Sequence, residues 1–215
     1  MKTVLCMLAV AAVAYLLGCV NGAILISRYG YRDDIRQHGS GNAGLTNFYR
    51  TYGAKLALAV IACDMAKAAA AVALGSWAFS AIGLPSVMGK YFAALLCVIG
   101  HMFPVFYGFK GGKGILCSGT LLLCLNWRIA LVGWGLFLLL WLTTRYVSLG
   151  SVSAAVSLPI TTYCVYTGQW IVLLLATMTS LLVLWAHREN IVRLLNGTEH
   201  QFQFHRTAPK KEDEK

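Results

Sequence analysis

Two short segments concentrate the residue types that bind anions. The first, SGNAGLTNFYR (40–50), places Ser40, Asn42, Thr46 and Asn47 among Gly41 and Gly44 and ends on Arg50. Glycine permits positive φ and close backbone approach. Successive main-chain N–H groups in such a turn form an anion-binding nest. The hydroxyl and amide side chains add neutral hydrogen-bonding groups, and Arg50 adds a planar bidentate fork. The second segment, FKGGKG (109–114), sets Lys110 and Lys113 among Gly111, Gly112 and Gly114. Its backbone is free to wrap an anion while two ammonium groups neutralise it. It is not a Walker A loop, because Tyr107 occupies the first glycine position and Gly114 follows Lys113 where Ser or Thr belongs. The structural alternatives are a loop leading into a helix capped by Thr46 or Asn47 and an ordinary basic loop at a membrane face.

Further polar residues have less specific spacing. In HRENIVRLL, His187 and Asn190 share a helical face at i, i+3, with Arg188 and Arg193 close by. The same segment reads equally as an amphipathic helix lying on anionic lipid. In SLGS (148–151), Ser148 and Ser151 suit either a helix cap or a phosphate contact. Ser40 has no histidine-plus-acid pattern that would make it a nucleophile. His101 lies in an apolar run, and Phe106 stands where an H-x-x-x-x-D acyltransferase motif needs aspartate. His101 is therefore expected to be scaffold. Asp64 and Lys67, at i, i+3 within another apolar run, read as a structural ion pair near a helix end, since intramembrane charges are costly unless paired. No metal motif is present, and no cofactor is expected.

The elements that position these residues are membrane helices. Of 215 residues, 58% are hydrophobic and only 12% charged, against about 25% charged in a soluble domain; the mean hydropathy is +0.66. The formal net charge of +10 comes from cations clustered between apolar runs, which reads as topology signals and anion ligands; no nucleic-acid face is expected. The seven cysteines are scattered singly, without C-x-x-C spacing, as buried free thiols. LLGC (16–19) resembles a lipoprotein cleavage box. The apolar run nevertheless continues through Ile26, and the arginines follow rather than precede it, so an uncleaved first helix is expected.

A spanning helix needs about 20 apolar residues. Long runs cover 3–26, 54–74, 90–107 and 170–186; shorter ones cover 114–125, 129–143 and 151–166, the first two separated by a tight polar break, NWR (126–128). With all seven crossing and the N-terminus outside, one face receives Arg28, Arg32, Arg36, Arg50, Lys110, Lys113, Arg145, Arg188 and Arg193, and the other only Lys2, Lys90 and Arg128. That asymmetry obeys the positive-inside rule. Five spans preserve the same sidedness and are the second choice; six are disfavoured. The expected fold class is therefore an all-α integral membrane protein with seven transmembrane helices and a cytoplasmic C-terminus. Residues 1–200 would form one transmembrane domain and 201–215 a solvated polar cytoplasmic tail. All the polar clusters then fall on one face, where folding can gather them into a single mouth.

Taken together and in order, SGNAGLTNFYR, GHMFPVFYGFKGGKG, SLGS and HRENIVRLLNGTE resemble the signature segments of the bacterial acyl-phosphate:glycerol-3-phosphate acyltransferases, the PlsY family. The resemblance implies a seven-helix bundle in the bacterial cytoplasmic (inner) membrane with its site facing the cytoplasm. It implies transfer of a fatty acyl group from acyl phosphate to the 1-hydroxyl of glycerol-3-phosphate, giving lysophosphatidic acid. Ser40, Arg50, Lys113, His187 and Asn190 correspond to the family's catalytic-centre residues. Asn42, Gly44, Thr46, Asn47, Lys110, Gly111, Gly112, Ser148 and Ser151 would bind substrate phosphate. After GGKG this chain has Ile115, Leu116 and Cys117 where the family has valine, alanine and threonine, which removes a hydroxyl from position 117. An acyl phosphate is already activated, so positioning and charge stabilisation suffice and no covalent nucleophile is needed. The competing reading is a transporter of phosphorylated metabolites, with cationic sites at broken helices. The absence of an internal repeat and the one-sided polarity weigh against it. A structural lipid-binding protein would leave the Ser/Asn/Gly cluster without a task.

Overall fold

The computed structural model describes residues 1–202, and every regular element among them is helical. In chain order the helices are α1 (Lys2–Cys19), α2 (Gly22–Tyr31), α3 (Leu45–Tyr52), α4 (Ala57–Ala81), α5 (Ser86–Met102), α6 (Ile115–Leu125), α7 (Trp127–Thr144), α8 (Val147–Val165), α9 (Trp170–Ala186) and α10 (Arg188–Leu195). The expected tail lies mostly outside the described residues, from 203 onward.

Five helices are long and apolar enough to cross a membrane: α1, α4, α5 with its short 3-10 extension to Tyr107, α7 and α8. A sixth crossing results if α9 and α10, bent by 61° at His187, count as one broken span. The expected seventh, α6, has 11 residues, about 16 Å of helix against a hydrocarbon core of about 30 Å. By length alone α6 falls short of a full crossing. The NWR break does make a tight helical hairpin. Asn126 is extended at φ −164° and accepts a hydrogen bond from Arg128 N through its side chain, so it ends α6 and starts α7.

α5 is the central helix, against α1, α4, α6 and α9, while α7 packs on α8 and α8 on α9. Small residues allow the closest crossings, as membrane helices require when no hydrophobic drive pulls them together. A Cβ added at Gly75 of α4 or Gly89 of α5 would strike the other's carbonyl oxygen. The core of this packing is aliphatic and small, with Ala14, Ala68, Ala71, Ala93, Cys97 and Val98 all buried.

The first apolar run is not one helix. It breaks at Val20 and Asn21, although hydropathy runs through both. Asn21 caps α2 by accepting from Ile24 N and donating to the Ala43 carbonyl. Lys67 Nζ donates to the Val20 carbonyl at 2.6 Å, and Gly22 N donates to Asp64 at 3.2 Å. The Asp64–Lys67 pair, 2.7 Å apart, thus supplies the backbone partners that the break removes. The expected ion pair exists. It lies two turns inside α4, not near its end, and it holds the broken helix.

Candidate active site

A cavity of about 1170 Å³ opens at the face that carries the polar clusters and continues into apolar depth between α5, α6 and α8. Ser40, Arg50, Lys113, His187 and Asn190 all line it, from three separate stretches of chain. So do Asn42, Gly44, Thr46, Asn47, Lys110, Gly111, Gly112, Ser148 and Ser151. Deeper lining residues include Ala94, Leu121, Leu125, Leu158 and Tyr91.

Glu199 organises the polar end. Its carboxylate accepts from Ser148 Oγ (2.9 Å), Asn190 Nδ2 (2.8 Å) and Arg193 Nε (2.7 Å). Asn190 is thereby oriented with its Oδ1 toward Lys113, whose ammonium donates to it. Burial alone would raise the Glu199 carboxyl, but the hydrogen bonds from Arg193, Asn190 and Ser148 outweigh it and hold the group below its ordinary value. Lys113 is pushed below the ordinary lysine value, first by burial and then by the nearby Arg193. Burial likewise lowers Arg50, against a smaller opposing effect of Glu199. The cavity therefore presents partly desolvated cations around the Glu199 carboxylate, which favours an incoming dianion. The sequence did not single out Glu199. Its position at the end of the HRENIVRLLNGTE segment is the only signal that could have done so.

His187 is the hinge between α9 and α10 and is buried. Its Nδ1–H donates to the Val183 carbonyl at 2.8 Å, because a carbonyl can only accept. Nε2 is left with its lone pair. Ser148 and Ser151 lie within the first turns of α8. Ser148 is the Glu199 ligand rather than a helix cap, and Ser151 Oγ bonds back to the Val147 carbonyl.

The anion nests expected at the glycines are not formed. Gly111 N and Gly112 N donate to the carbonyls of Met102 and His101, closing the last turn of α5. Gly41 N goes to His38 O, Gly44 N to Asn42 O, and Ser40 N to the Asn47 side chain. Gly111 and Gly112 are required for close approach: a Cβ at Gly112 would strike the Ala43 carbonyl and lie 2.5 Å from His101 Nε2. Gly44 is extended at φ −142°, and it, not Thr46 or Asn47, is the N-cap of α3. Asn47 is a positioning group, its amide donating to the carbonyls of Ile35, His38 and Asn42. Main-chain donors come instead from two helix N-termini that line the cavity, α3 after Gly44 and α6 after Gly114, neither with a side-chain cap. Such termini combine free N–H groups with the positive end of the helix dipole.

The structure also places two further residues. Arg188 stacks on Trp185, 4.5 Å from the ring centroid, and donates to its carbonyl, so it is engaged at the rim. Cys117, where the family's hydroxyl is missing, is fully buried against Cys97, with the sulfurs 3.7 Å apart, and does not line the cavity.

A bundle of apolar helices with a cationic cavity joined to apolar depth defines a multi-pass membrane protein with a site suited to an anionic group. The family model described as glycerol-3-phosphate acyltransferase matches residues 8–197, and the chain belongs to that family. A Finegoldia magna protein named glycerol-3-phosphate acyltransferase is 40% identical over 187 residues, 87% of this chain and 91% of that one. One of the same name from Synechococcus sp. (strain JA-2-3B'a(2-13)) is 43% identical over 186 residues, 86% and 89% of the two chains. The crystal structure of PlsY (YgiH), an integral membrane glycerol 3-phosphate acyltransferase, in its glycerol 3-phosphate form, superposes with a TM-score of 0.81 at 34% identity, covering 92% of this chain and 96% of that one. Its lysophosphatidic acid form gives 0.78, covering 92% and 95%.

Proposed function

We propose that this chain transfers a fatty acyl group from acyl phosphate to the 1-hydroxyl of glycerol-3-phosphate, releasing lysophosphatidic acid and phosphate. The observation that carries the reading is the single cavity in which Lys113, Arg50 and two uncapped helix N-termini stand at the head of an apolar channel. Both substrates carry phosphate, and only the donor carries a chain.

Arg50 and Lys113 neutralise the phosphates and draw charge away from the acyl carbonyl. Asn190, fixed by Glu199, sets the position of the Lys113 ammonium. Ser40 and Nε2 of His187 offer hydrogen bonds to the glycerol hydroxyls. The 1-hydroxyl attacks the acyl carbonyl carbon, the bond from that carbon to the phosphate oxygen breaks, and the departing phosphate takes the hydroxyl proton. No side chain has to become covalently modified, which suits a site without a serine–histidine–acid set. Thr46, Asn42 and Lys110 line the polar end and serve substrate phosphate. Gly44, Gly111, Gly112, Asn47, Ser148 and Ser151 shape the walls that hold those ligands.

The same proposal includes residues 1–200 as one domain in the bacterial cytoplasmic membrane, all seven apolar segments taking part in the crossing, the N-terminus outside and the cavity open to the cytoplasm. Charge asymmetry supports it. The test is phosphate release by detergent-purified protein given glycerol-3-phosphate and palmitoyl phosphate, with acyl-CoA as control donor. Release with palmitoyl phosphate and none with acyl-CoA is expected; no release with any acyl phosphate rejects the reading.

A further inference from the structure

The proposed reaction leaves unused a buried ionisable cluster in the wall of the same cavity. Asp64, Lys67 and His101 are 1%, 4% and 2% exposed. The Lys67 ammonium has three protons and three acceptors: Asp64 Oδ1 at 2.7 Å, the Val20 carbonyl at 2.6 Å and His101 Nδ1 at 2.7 Å. An ammonium only donates, so Nδ1 of His101 accepts and the ring proton sits on Nε2. A scaffold histidine has both nitrogens engaged. Here Nε2 makes no hydrogen bond among the described residues, while His101 lines the cavity. That edge of the ring faces the turn that carries Lys113. A Cβ at Gly112 would be 2.5 Å from Nε2, and one at Gly114 would be 3.7 Å from Cδ2.

We propose that His101 is a substrate-binding residue whose Nε2–H donates to the phosphate of the acyl donor beside Lys113, with Lys67 fixing the tautomer that makes this possible. The ligand is an anion because Lys113 and the uncapped start of α6 adjoin the same point. It is the donor's phosphate because of where His101 stands on α5. The next cavity residues along that helix are Ala94 and Tyr91, about 10 and 15 Å deeper by helix rise. Of the two substrates, only the donor joins a phosphate to a chain that fills that depth. This inference rests on the acyl-phosphate reading, and it replaces the scaffold role expected from sequence.

The experiment compares wild type with His101→Gln, His101→Asn and His101→Phe. A glutamine amide reaches the Nε2 position, whereas an asparagine amide reproduces only Nδ1. In His101→Asn and His101→Phe the KM for palmitoyl phosphate should rise about tenfold, the loss of one hydrogen bond to a charged group. The KM for glycerol-3-phosphate should stay within about twofold of wild type, and His101→Gln should recover most of the donor affinity. Donor KM unchanged in a folded His101→Asn, or both KM values rising together with glutamine no better than asparagine, overturns the proposal. Binding of a non-hydrolysable palmitoyl phosphonate, read as a thermal shift in detergent, is measured on the same proteins. If wild type turns over no acyl phosphate, the reaction reading fails by itself. Phosphonate affinity lost in His101→Asn and regained in His101→Gln would still support the histidine contact, and equal affinity in all variants would refute it.

Discussion

Replacing Glu199 by glutamine tests the arrangement at the head of the cavity, because it changes charge and leaves shape nearly intact. The carboxylate accepts from Ser148 and Asn190 on one oxygen and from Arg193 on the other. A glutamine with its oxygen toward Ser148 and Asn190 keeps those two bonds as neutral ones. It then turns an NH2 toward Arg193 Nε, donor against donor. Losing the charge-assisted bond to Arg193 costs about 1.5–3 kcal/mol. Because the Arg193 side chain is 35% exposed, solvent screening places the loss near the lower limit, about 2 kcal/mol in all. Spent on the pose of Asn190 and Lys113, that is roughly a 30-fold fall in kcat/KM. The carboxyl is held below its ordinary value of 4.5. A depressed carboxyl contributes stability that is complete above the ordinary value and is lost as pH falls through the lower folded value. Wild-type activity and thermal stability should therefore decline together at acid pH, and Glu199→Gln should show a weaker decline, with Asp33 and Asp34, also held low, supplying the remainder. The assay is phosphate release and thermal unfolding of both proteins between pH 3.5 and 7.5 (roughly one unit below the ordinary carboxyl value to neutrality). A variant within twofold of wild type in kcat/KM, with the same acid limb, would refute the reasoning.

Other predictions test different parts of the site. Lys113→Ala should leave a monodisperse, folded protein and reduce phosphate release at least about 100-fold, the scale of losing one charge aimed at the reacting group. Gly112→Ala introduces a Cβ against the Ala43 carbonyl and His101, an overpacking cost of about 1–3 kcal/mol that should appear as a lower unfolding temperature. Gly135→Ala on α7 meets nothing within 4 Å and should be neutral or slightly stabilising in the same melt. Tyr91, hydrogen-bonded to Thr162 at 2.9 Å, closes the apolar depth; Tyr91→Ala should shift the product profile toward longer acyl chains in a mixed-donor competition read by mass spectrometry.

Much of the site was legible because its chemistry is carried by residue type. Arg50, Lys113, His187 and Asn190 could be picked from sequence since few polar residues interrupt this chain, and all of them line one cavity. The glycine loop was misread in detail. Hydrogen-bond donors on Gly111 and Gly112 are visible in sequence, but the carbonyls of His101 and Met102 that take them are defined only once α5 ends where it does. Glu199 was overlooked because its three partners come from α8 and α10, and no spacing rule connects them.

What the sequence determined by itself is the partition: apolar runs long enough to be helices in lipid, and polar, cation-rich clusters between them. Those properties are sums over neighbouring residues. What only the tertiary structure decided is which way each residue faces and which distant group satisfies it. A continuous apolar run can break at Asn21 because Asp64 and Lys67, more than 40 residues away, take up the loose N–H of Gly22 and carbonyl of Val20 on either side of it. Cys117 turns to Cys97 instead of the cavity, and His101 keeps one nitrogen open to it because Lys67 occupies the other. Hydropathy averages over a helix, whereas burial of a charge or a donor depends on its orientation and its partner, and those are fixed only when the helices pack.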